Sequence, residues 1–206
     1  LTDLINELSK IDDLLRIRIS SIEITELNDK FLEMLKINKK VCNHLHIPLQ
    51  AGSDEILKRM NRKYDLAYYE EKINKIRSIR PDISITTDII VGFPYETDEL
   101  FSETLEFSKK MNFSKIHVFP YSIRVGTAAA SMPNQVDEVT KKVRVKKLMA
   151  LSEKQEKEYY EKFKGKELDI LVEECDNNVS IGHTSNYLMV TLNENLLVGK
   201  IYKRIL

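Results

Sequence analysis

The chain has 206 residues, of which 42% are hydrophobic and 31% are charged, a composition typical of globular proteins and not of disordered chains. The 32 Lys and Arg residues balance the 32 Asp and Glu residues, so the zero net charge excludes a globally basic nucleic-acid-binding protein and an acidic tail protein. No apolar run reaches the ~18 residues that a transmembrane helix needs, and Leu1–Asp13 lacks the pattern of a signal peptide. Because the first residue is not Met, we expect a fragment or a processed product.

Strand-like and helix-like segments alternate over the first four-fifths of the chain. Alternating apolar residues or β-branched runs predict strands at Leu14–Glu23, His44–Gln50, Ile83–Gly92 and Lys115–Ser122. Helical spacing of apolar residues predicts helices at Thr25–Asn38, after an N-cap at Ser53, at Leu66–Ile79 and at Thr97–Met111. This alternation predicts parallel strands with crossover helices, in either an open doubly wound sheet or part of a (β/α) barrel.

Polar and glycine-rich residues collect where these strands end. They lie at Ser20–Glu23, Gln50–Ser53, Gly92–Pro94 and Pro120–Ser122. Ligands of both architectures bind at the carboxyl ends of parallel strands. Each segment alone is compatible with ordinary loop chemistry, but the four together favour a binding site.

The composition changes after a long helix. Asp137–Lys164 reads as a helix with charges of both signs, and short strands separated by turn residues follow it. The predicted strands are Glu167–Glu173, Val179–His183, Tyr187–Leu192 and Leu197–Ile205. We expect three parts, namely an α/β core at 1–136, a connecting helix at 137–164 and a small antiparallel β-barrel or sandwich at 165–206.

The chain has two cysteines, Cys42 and Cys175, which are far apart in sequence. They provide neither a CxxC motif nor the three or four closely placed thiolates that an iron–sulfur cluster usually needs. We therefore expect no metal centre ligated by this chain alone. Two lone thiols are typical of small buried side chains in a protein of the reducing cytoplasm.

Three polar residues on predicted strands are candidates for either structure or function. His44 and His46 share one face of a strand and resemble a metal-binding pair, but no third ligand lies nearby in sequence, which favours packing or hydrogen bonding. Asp88 lies in an apolar strand, where an unpaired charge is unfavourable, so it is either a partnered structural carboxylate or a site residue.

The segment Lys141–Lys147 carries five cations and no acid. The cations are Lys141, Lys142, Arg144, Lys146 and Lys147. They form either a solvated helix face or a surface that contacts phosphates. Further cations near the predicted strand ends favour an anionic partner: Arg59, Arg62, Lys63 and Arg124.

Five sequence strings resemble the methylthiotransferases of the radical S-adenosylmethionine (SAM) superfamily. They are Arg18–Glu23, His46–Asp54, Lys58–Tyr64, Thr87–Thr97 and Phe119–Ala129. The strings are long and correctly ordered, and with the tail they extend the resemblance over nearly the whole chain. The tail resembles the TRAM domain that ends these enzymes and is associated with RNA binding.

The resemblance implies a fold and a chemistry. The fold is a partial (β/α) TIM-like barrel that holds a cluster and SAM, followed by the TRAM-like barrel. Reductive cleavage of SAM generates a radical that abstracts hydrogen, and a second 4Fe-4S cluster assists installation of the methylthio group. The protein orients the cofactor and excludes water. An electron donor for cluster reduction is implied as a partner.

The same resemblance implies roles for individual residues. Ser20, Ser21 and Glu23 lie where a strand meets the ribose and methionine of SAM. The remaining positions expected to contact the cofactor are Gln50, Ser53, Phe119 and Tyr121. Arg62 and Arg124 meet anionic groups of cofactor or substrate, and no catalytic residue is identified.

The cluster-binding cysteines of the family have no counterpart in this sequence. Its Cys-x3-Cys-x2-Cys motif and three further cysteines are expected upstream of Leu1. The resemblance therefore predicts the carboxyl-terminal part of an enzyme, inactive by itself.

The substrate branch follows from one string, His117–Ser122 with Arg124, which most resembles members acting on N6-threonylcarbamoyladenosine 37 of tRNA. The isopentenyladenosine and ribosomal-protein branches stay open. A non-catalytic RNA-binding module is the alternative from another functional class.

Overall fold

A parallel three-stranded sheet organises the first part of the computed structural model, which describes all 206 residues. Its strands are β1 (His44–His46), β2 (Ser84–Val91) and β3 (Lys115–Pro120), in the order β1-β2-β3. The predicted alternation of parallel strands and helices is confirmed. The helices of the chain are α1 (Thr2–Leu8), α2 (Asp29–Ile37), α3 (Asp54–Arg59), α4 (Leu66–Ile79), α5 (Asp98–Met111) and α6 (Glu138–Glu161).

The first two predicted strands differ from the structure. Leu14–Glu23 forms one isolated parallel bridge, between Ile17 and Val41, and the amide of Ile22 donates to the carbonyl of His46 at 3.0 Å. Leu14–Glu23 thus follows the edge of the sheet as extended chain without a continuous ladder. The second predicted strand, His44–Gln50, is shorter than expected because β1 ends at His46 and Pro48 has no amide hydrogen with which to extend the ladder.

Apolar side chains of the sheet and the helices form one core of 31 buried residues. Side chains of Asn28, Asp65 and Thr97 accept hydrogen bonds from backbone amides at the start of α2, α4 and α5. Thr97, the first residue of the predicted helix, is therefore the N-cap of α5. Ser53 precedes α3 but makes no capping hydrogen bond.

Helix α6 buries a polar stripe against this core. The buried positions follow helical spacing and are Lys141, Arg144, Leu148, Ser152, Gln155 and Tyr159. The Ser152 hydroxyl accepts from the amide of Ile116 at 2.8 Å and donates to its carbonyl at 3.1 Å. One side chain therefore satisfies both backbone groups of Ile116 on β3, an edge strand of the sheet.

The last part of the chain is an antiparallel sheet. Its strands are β4 (Glu167–Asp176), β5 (Val179–Thr184), β6 (Met189–Leu192) and β7 (Ile201–Ile205), in the order β6-β5-β4-β7. Because β6 and β7 stay at the two edges, the ladder is open and does not show the predicted barrel closure. At Gly182 a Cβ would lie 2.0 Å from the carbonyl oxygen of Leu171, so only glycine permits this close strand approach.

This sheet docks on the amino-terminal side of the parallel strands. Arg16 donates to the carbonyls of His183 at 2.9 Å and Asp169 at 2.7 Å. Asn186 donates to the Tyr159 hydroxyl at 3.1 Å, which itself donates to the carbonyl of Asp82 at 2.8 Å. No helix in the structure is long and apolar enough to cross a membrane.

Replacing Arg144 with Met tests the ion pair that anchors α6. Arg144 Nη1 lies 2.8 Å from Glu96 Oε1, and both residues are at most 5% exposed. The substitution leaves a buried carboxylate without a charge partner, so we expect the free energy of unfolding to fall by about 3–5 kcal/mol. Urea titration measures the change.

Lys146→Ala, an exposed change on the same helix, is the control and should stay within about 0.5 kcal/mol of the parent. A second change, Glu96→Gln in the Arg144→Met background, should restore part of the loss. An Arg144→Met variant as stable as the control would contradict the assignment.

Candidate functional site

A cleft of about 700 Å³ opens at the carboxyl ends of the parallel strands. Five of the residues predicted for cofactor or anion binding line it, namely Gln50, Arg62, Phe119, Tyr121 and Arg124. They come from three separate stretches of the sequence, and the shared direction of the strands brings their ends together. The structure therefore has a cavity at the strand ends, where the sequence predicts the binding site.

Gln50 occupies a strained backbone position at the edge of the cleft. Its φ is 70°, in the left-handed region that non-glycine residues rarely adopt. Its amide donates to the carbonyl of Asp88 at 2.8 Å, and its carbonyl accepts from the amide of Ile90 at 2.9 Å. These two bonds fix the backbone, and such strain is often found at binding sites.

Tyr121 and Arg62 bring unpaired polar atoms to the cleft. The Tyr121 hydroxyl and the Arg62 Nε are buried and have no hydrogen-bond partner in the chain. The Tyr121 ring packs edge-on against Phe93, with 5.2 Å between ring centroids. Both residues line the cleft, so their unpaired polar atoms can bond to a ligand that enters it.

The cleft fits the chemistry of SAM but not that of an iron–sulfur cluster. The aromatic rings offer a surface for adenine, while the guanidinium of Arg62 and the amide of Gln50 offer polar contacts. Neither Cys42 nor Cys175 lines the cleft. Cys42 is buried, and burial raises the pKa of its thiol, which opposes the thiolate form that metals require.

The other predicted cofactor residues lie elsewhere. Ser20 lines a second cavity, and Ser21 is exposed and lines neither. Glu23 reaches the cleft only through Arg62, whose Nη1 is 3.4 Å from its carboxylate. Ser53 is fully buried, and its hydroxyl has no partner. A direct role of Ser53 in contacting a ligand is therefore not supported by its placement.

The basic segment of α6 is split between interior and surface, contrary to the predicted single basic face. Lys141 is 2% exposed and pairs with Glu138 at 2.9 Å, while Arg144 bonds to Glu96 and Asp98. Lys142, Lys146 and Lys147 are exposed. Helical spacing places positions 141 and 144 on the stripe that packs against the core, which the local run of cations conceals.

Lys141 and Glu96 also hold the loop that follows β2. Gly92 has φ +74°, and a Cβ there would lie 2.4 Å from Cγ of Lys141. The amide of Gly92 donates to Oε1 of Glu96 at 2.7 Å. The alkyl chain of Lys141 thus occupies the space that a side chain at position 92 would need.

A second cavity of about 530 Å³ lies between the parallel sheet and the β domain (the antiparallel sheet of β4–β7 with its connecting turns). The guanidinium of Arg18 stands 3.4 Å from the ring centroid of Tyr187, which stacks on His183 at 4.4 Å. Asp88 and Phe119 line both cavities, so the two spaces are neighbours on one face of the sheet.

Thr86 links the two histidines of β1. Its Oγ1 is 3.1 Å from Nε2 of His44 and 2.9 Å from Nδ1 of His46. The hydrogen-bonding interpretation of this pair is therefore confirmed. Nε2 of His46 is 3.2 Å from Oδ2 of Asp88, so the partner predicted for a structural Asp88 is present.

The stability of the chain should fall in acid because of His44. Burial, followed by the positive charge of Arg18, lowers the pKa of His44 from 6.5 to about 3. The unfolded chain binds a proton that the folded chain excludes, so this contribution is complete above pH 6.5 and is lost as the pH falls toward 3.

Replacement of His44 with Phe removes this titrating group. The slope of the unfolding free energy against pH should therefore fall by up to ~1.4 kcal/mol per pH unit. Urea unfolding between pH 7 and pH 4 measures this slope. Leu45→Ala, which removes no titratable group from the same strand, should lower stability by a similar amount at every pH. An unchanged slope in His44→Phe would show that His44 does not contribute.

Comparisons with known proteins agree with this architecture. Residues 1–108, just over half of the chain, match the radical SAM superfamily. The coproporphyrinogen III oxidase HemN from Escherichia coli has a similar fold, with a TM-score of 0.60 and 22% identity over 75% of this chain and 37% of that one. At this identity the similarity shows the barrel-type fold alone.

Curated relatives extend over nearly the whole chain. The threonylcarbamoyladenosine tRNA methylthiotransferase MtaB of Bacillus subtilis is 44% identical over 97% of this chain and 46% of its own length. The tRNA-2-methylthio-N(6)-dimethylallyladenosine synthase of Thermoanaerobacter sp. is 41% identical over 96% of this chain and 43% of its own length. The chain spans about half the length of these relatives. It belongs to the radical SAM superfamily.

Proposed function

We propose that this chain is the carboxyl-terminal part of a tRNA methylthiotransferase that modifies C2 of N6-threonylcarbamoyladenosine 37 by radical SAM chemistry. The observation that carries the proposal is the convergence of the family strings on one cleft, in a chain 44% identical to a relative named for this activity. The alternative of a purely RNA-binding module gives no reason for the family strings to converge on one cleft at the strand ends.

SAM, when bound with a reduced cluster, supplies the one-electron chemistry that removes a hydrogen atom from the substrate. The residues of this chain bind and orient it. The rings of Phe93, Phe119 and Tyr121 exclude water and flank the adenine, and Arg62 holds an anionic group while Glu23 steadies its guanidinium. Arg124 is exposed at the mouth, where it can meet the substrate.

The cluster ligands must come from outside these 206 residues, because the cleft has no thiol. We therefore propose that the chain alone is inactive. The complete enzyme would carry two 4Fe-4S clusters and use an external electron donor. No step is assigned to the two cysteines of this chain.

Binding of tRNA is proposed to use two surfaces. Lys142, Lys146 and Lys147 are exposed on α6, and the β domain, which resembles a TRAM domain, adds cations at its edge strand, including Lys203. Contacts of lysines with phosphates position an RNA without reading its sequence. Selection of the modified adenosine then depends on the cleft.

The threonylcarbamoyladenosine branch is favoured over the dimethylallyladenosine branch by one string. His117–Ser122 with Arg124 resembles the members acting on the threonylcarbamoyl nucleoside. The identities of the two sets of relatives, 44% and 41%, are too similar to decide between them.

Mass spectrometry of tRNA nucleosides tests the activity. The full-length protein, reconstituted with iron and sulfide, should convert threonylcarbamoyladenosine in tRNA to its methylthio derivative. Arg62→Ala should lower the yield by about tenfold or more, because a charge-assisted contact to the cofactor is lost. Lys63→Ala, the exposed neighbour, is the matched control and should retain activity.

Two outcomes would change the proposal. A methylthio group found only on dimethylallyladenosine would move the enzyme to the other branch. No methylthio nucleoside of any kind in the presence of intact clusters would contradict the proposed activity.

Salt titration tests the basic surface. Replacement of Lys142, Lys146 and Lys147 with Ala should weaken tRNA binding and lower the slope of log K against log salt by about 2–3, since each phosphate contact contributes ~0.9. Cognate and non-cognate tRNA should be affected similarly.

Replacement of Lys75, Lys109 and Lys110 with Ala is the control. These exposed lysines on α4 and α5 are paired with Glu71, Glu106 and Glu70, respectively. An unchanged slope in the α6 variant would show that its lysines only contact solvent.

A further inference from the structure

Three potential metal ligands meet on one face of the parallel sheet, beside the cleft assigned to SAM, which Asp88 also lines. His46, Asp88 and His117 come one each from β1, β2 and β3. Asp88 and His117 are direct neighbours in the register of β2 and β3. Their ligand atoms all lie within 4.8 Å of one another.

The distances suit a borderline divalent ion. Ligands bonded to zinc at 2.0–2.2 Å stand about 3.3–3.5 Å apart in tetrahedral geometry. His46 Nε2 and Asp88 Oδ2 are already 3.2 Å apart. The third ligand, His117, is exposed, so its ring can close the remaining distance without repacking the core.

A second layer of hydrogen bonds orients His46. Thr86 Oγ1 lies 2.9 Å from its Nδ1, and the same hydroxyl reaches Nε2 of His44. A metal ion on Nε2 of His46 requires Nδ1 to carry the ring proton, and Thr86 Oγ1 is placed to accept a hydrogen bond from it. This is the arrangement that metal-bound histidines adopt, in which the second nitrogen is fixed by a neighbour.

The charge at this position also favours a cation. The only ion-pair partner of Asp88 is His46, so the carboxylate is stabilised by a proton or a cation that lies between Oδ2 and Nε2 of His46. The other ion pair lining this cavity, Lys115 with Glu156 at 3.0 Å, is already neutralised. One carboxylate and two imidazoles give a site of net charge −1, which is suited to a divalent ion.

We propose that His46, Asp88 and His117 form a binding site for a divalent transition-metal ion such as Zn²⁺, with its open positions directed into the second cavity. Two imidazoles and one carboxylate select such ions over Mg²⁺ and Ca²⁺, which prefer all-oxygen ligands. On binding, the ion takes Nε2 of His46, and the neutral ring carries its one proton on Nδ1, where Thr86 Oγ1 accepts it in a hydrogen bond. Metal binding by the 206-residue chain is measured without the proposed transferase activity, so the two proposals are tested separately.

Cobalt titration of the metal-free 206-residue chain tests the site. A Cys175→Ser background removes the half-buried thiol as a competing ligand. We expect one Co²⁺ per chain with the visible d–d absorption of a tetrahedral nitrogen and oxygen site, displaced by Zn²⁺ but not by excess Mg²⁺. Asp88→Asn and His117→Ala should each abolish the signal.

Two further variants separate ligation from general damage. Thr86→Val should weaken cobalt binding by about 10–100-fold, as expected for a residue that only orients a ligand. His183→Gln changes a histidine of the same cavity that is paired with Glu173 at 2.7 Å, and it should bind cobalt like the parent. Circular dichroism of each variant confirms folding.

Absence of cobalt binding by the folded parent chain would overturn the proposal. Binding that survives both Asp88→Asn and His117→Ala, or that is lost in His183→Gln, would place the metal elsewhere and overturn it equally.

Discussion

The buried polar stripe of α6 is the constraint on which the rest of the structure depends. Arg144 bonds to Glu96 in the loop after β2, Ser152 satisfies the amide and carbonyl of Ile116 on β3, and Tyr159 bonds to Asp82 and Asn186. One helix therefore contacts the cleft, the sheet edge and the β domain. Each of these bonds satisfies groups that would be costly to bury alone, so the helix has one register against the sheet.

This arrangement has a consequence for the proposed chemistry. The loop at Gly92 carries Phe93 into the cleft, and Lys141 and Glu96 fix that loop from behind. A cofactor site needs first-contact residues that are held by their neighbours. The five cations of the 141–147 segment therefore differ in role, since Lys141 and Arg144 support the cleft from inside while the other three are exposed on the surface that we propose for RNA.

The sequence predicted the parallel architecture and most of the cleft because both depend on local patterns. β-branched runs indicated β2, and the family strings marked Gln50, Arg62, Phe119 and Tyr121. The roles of Lys141 and Arg144 were missed because Gly92, against which Lys141 packs, and Glu96, the partner of Arg144, are distant in sequence. His46, Asp88 and His117 were not recognised as one group, since the register of three strands brings them together. The sequence predicted a closed barrel for the β domain, whereas β6 and β7 do not pair with each other. The spacing of turns sets the number of strands but does not determine whether the two edge strands pair.

Hydrogen–deuterium exchange on a Ser152→Ala variant tests most directly whether α6 holds the molecule together. Alanine removes only the hydroxyl and leaves the amide and carbonyl of Ile116 without that partner. If α6 is the common support, exchange should increase in β3, in the loop at 92–96 and in the β-domain turn at 184–188. An increase confined to residues next to position 152 would contradict this account and show that the cleft and the β domain are held independently.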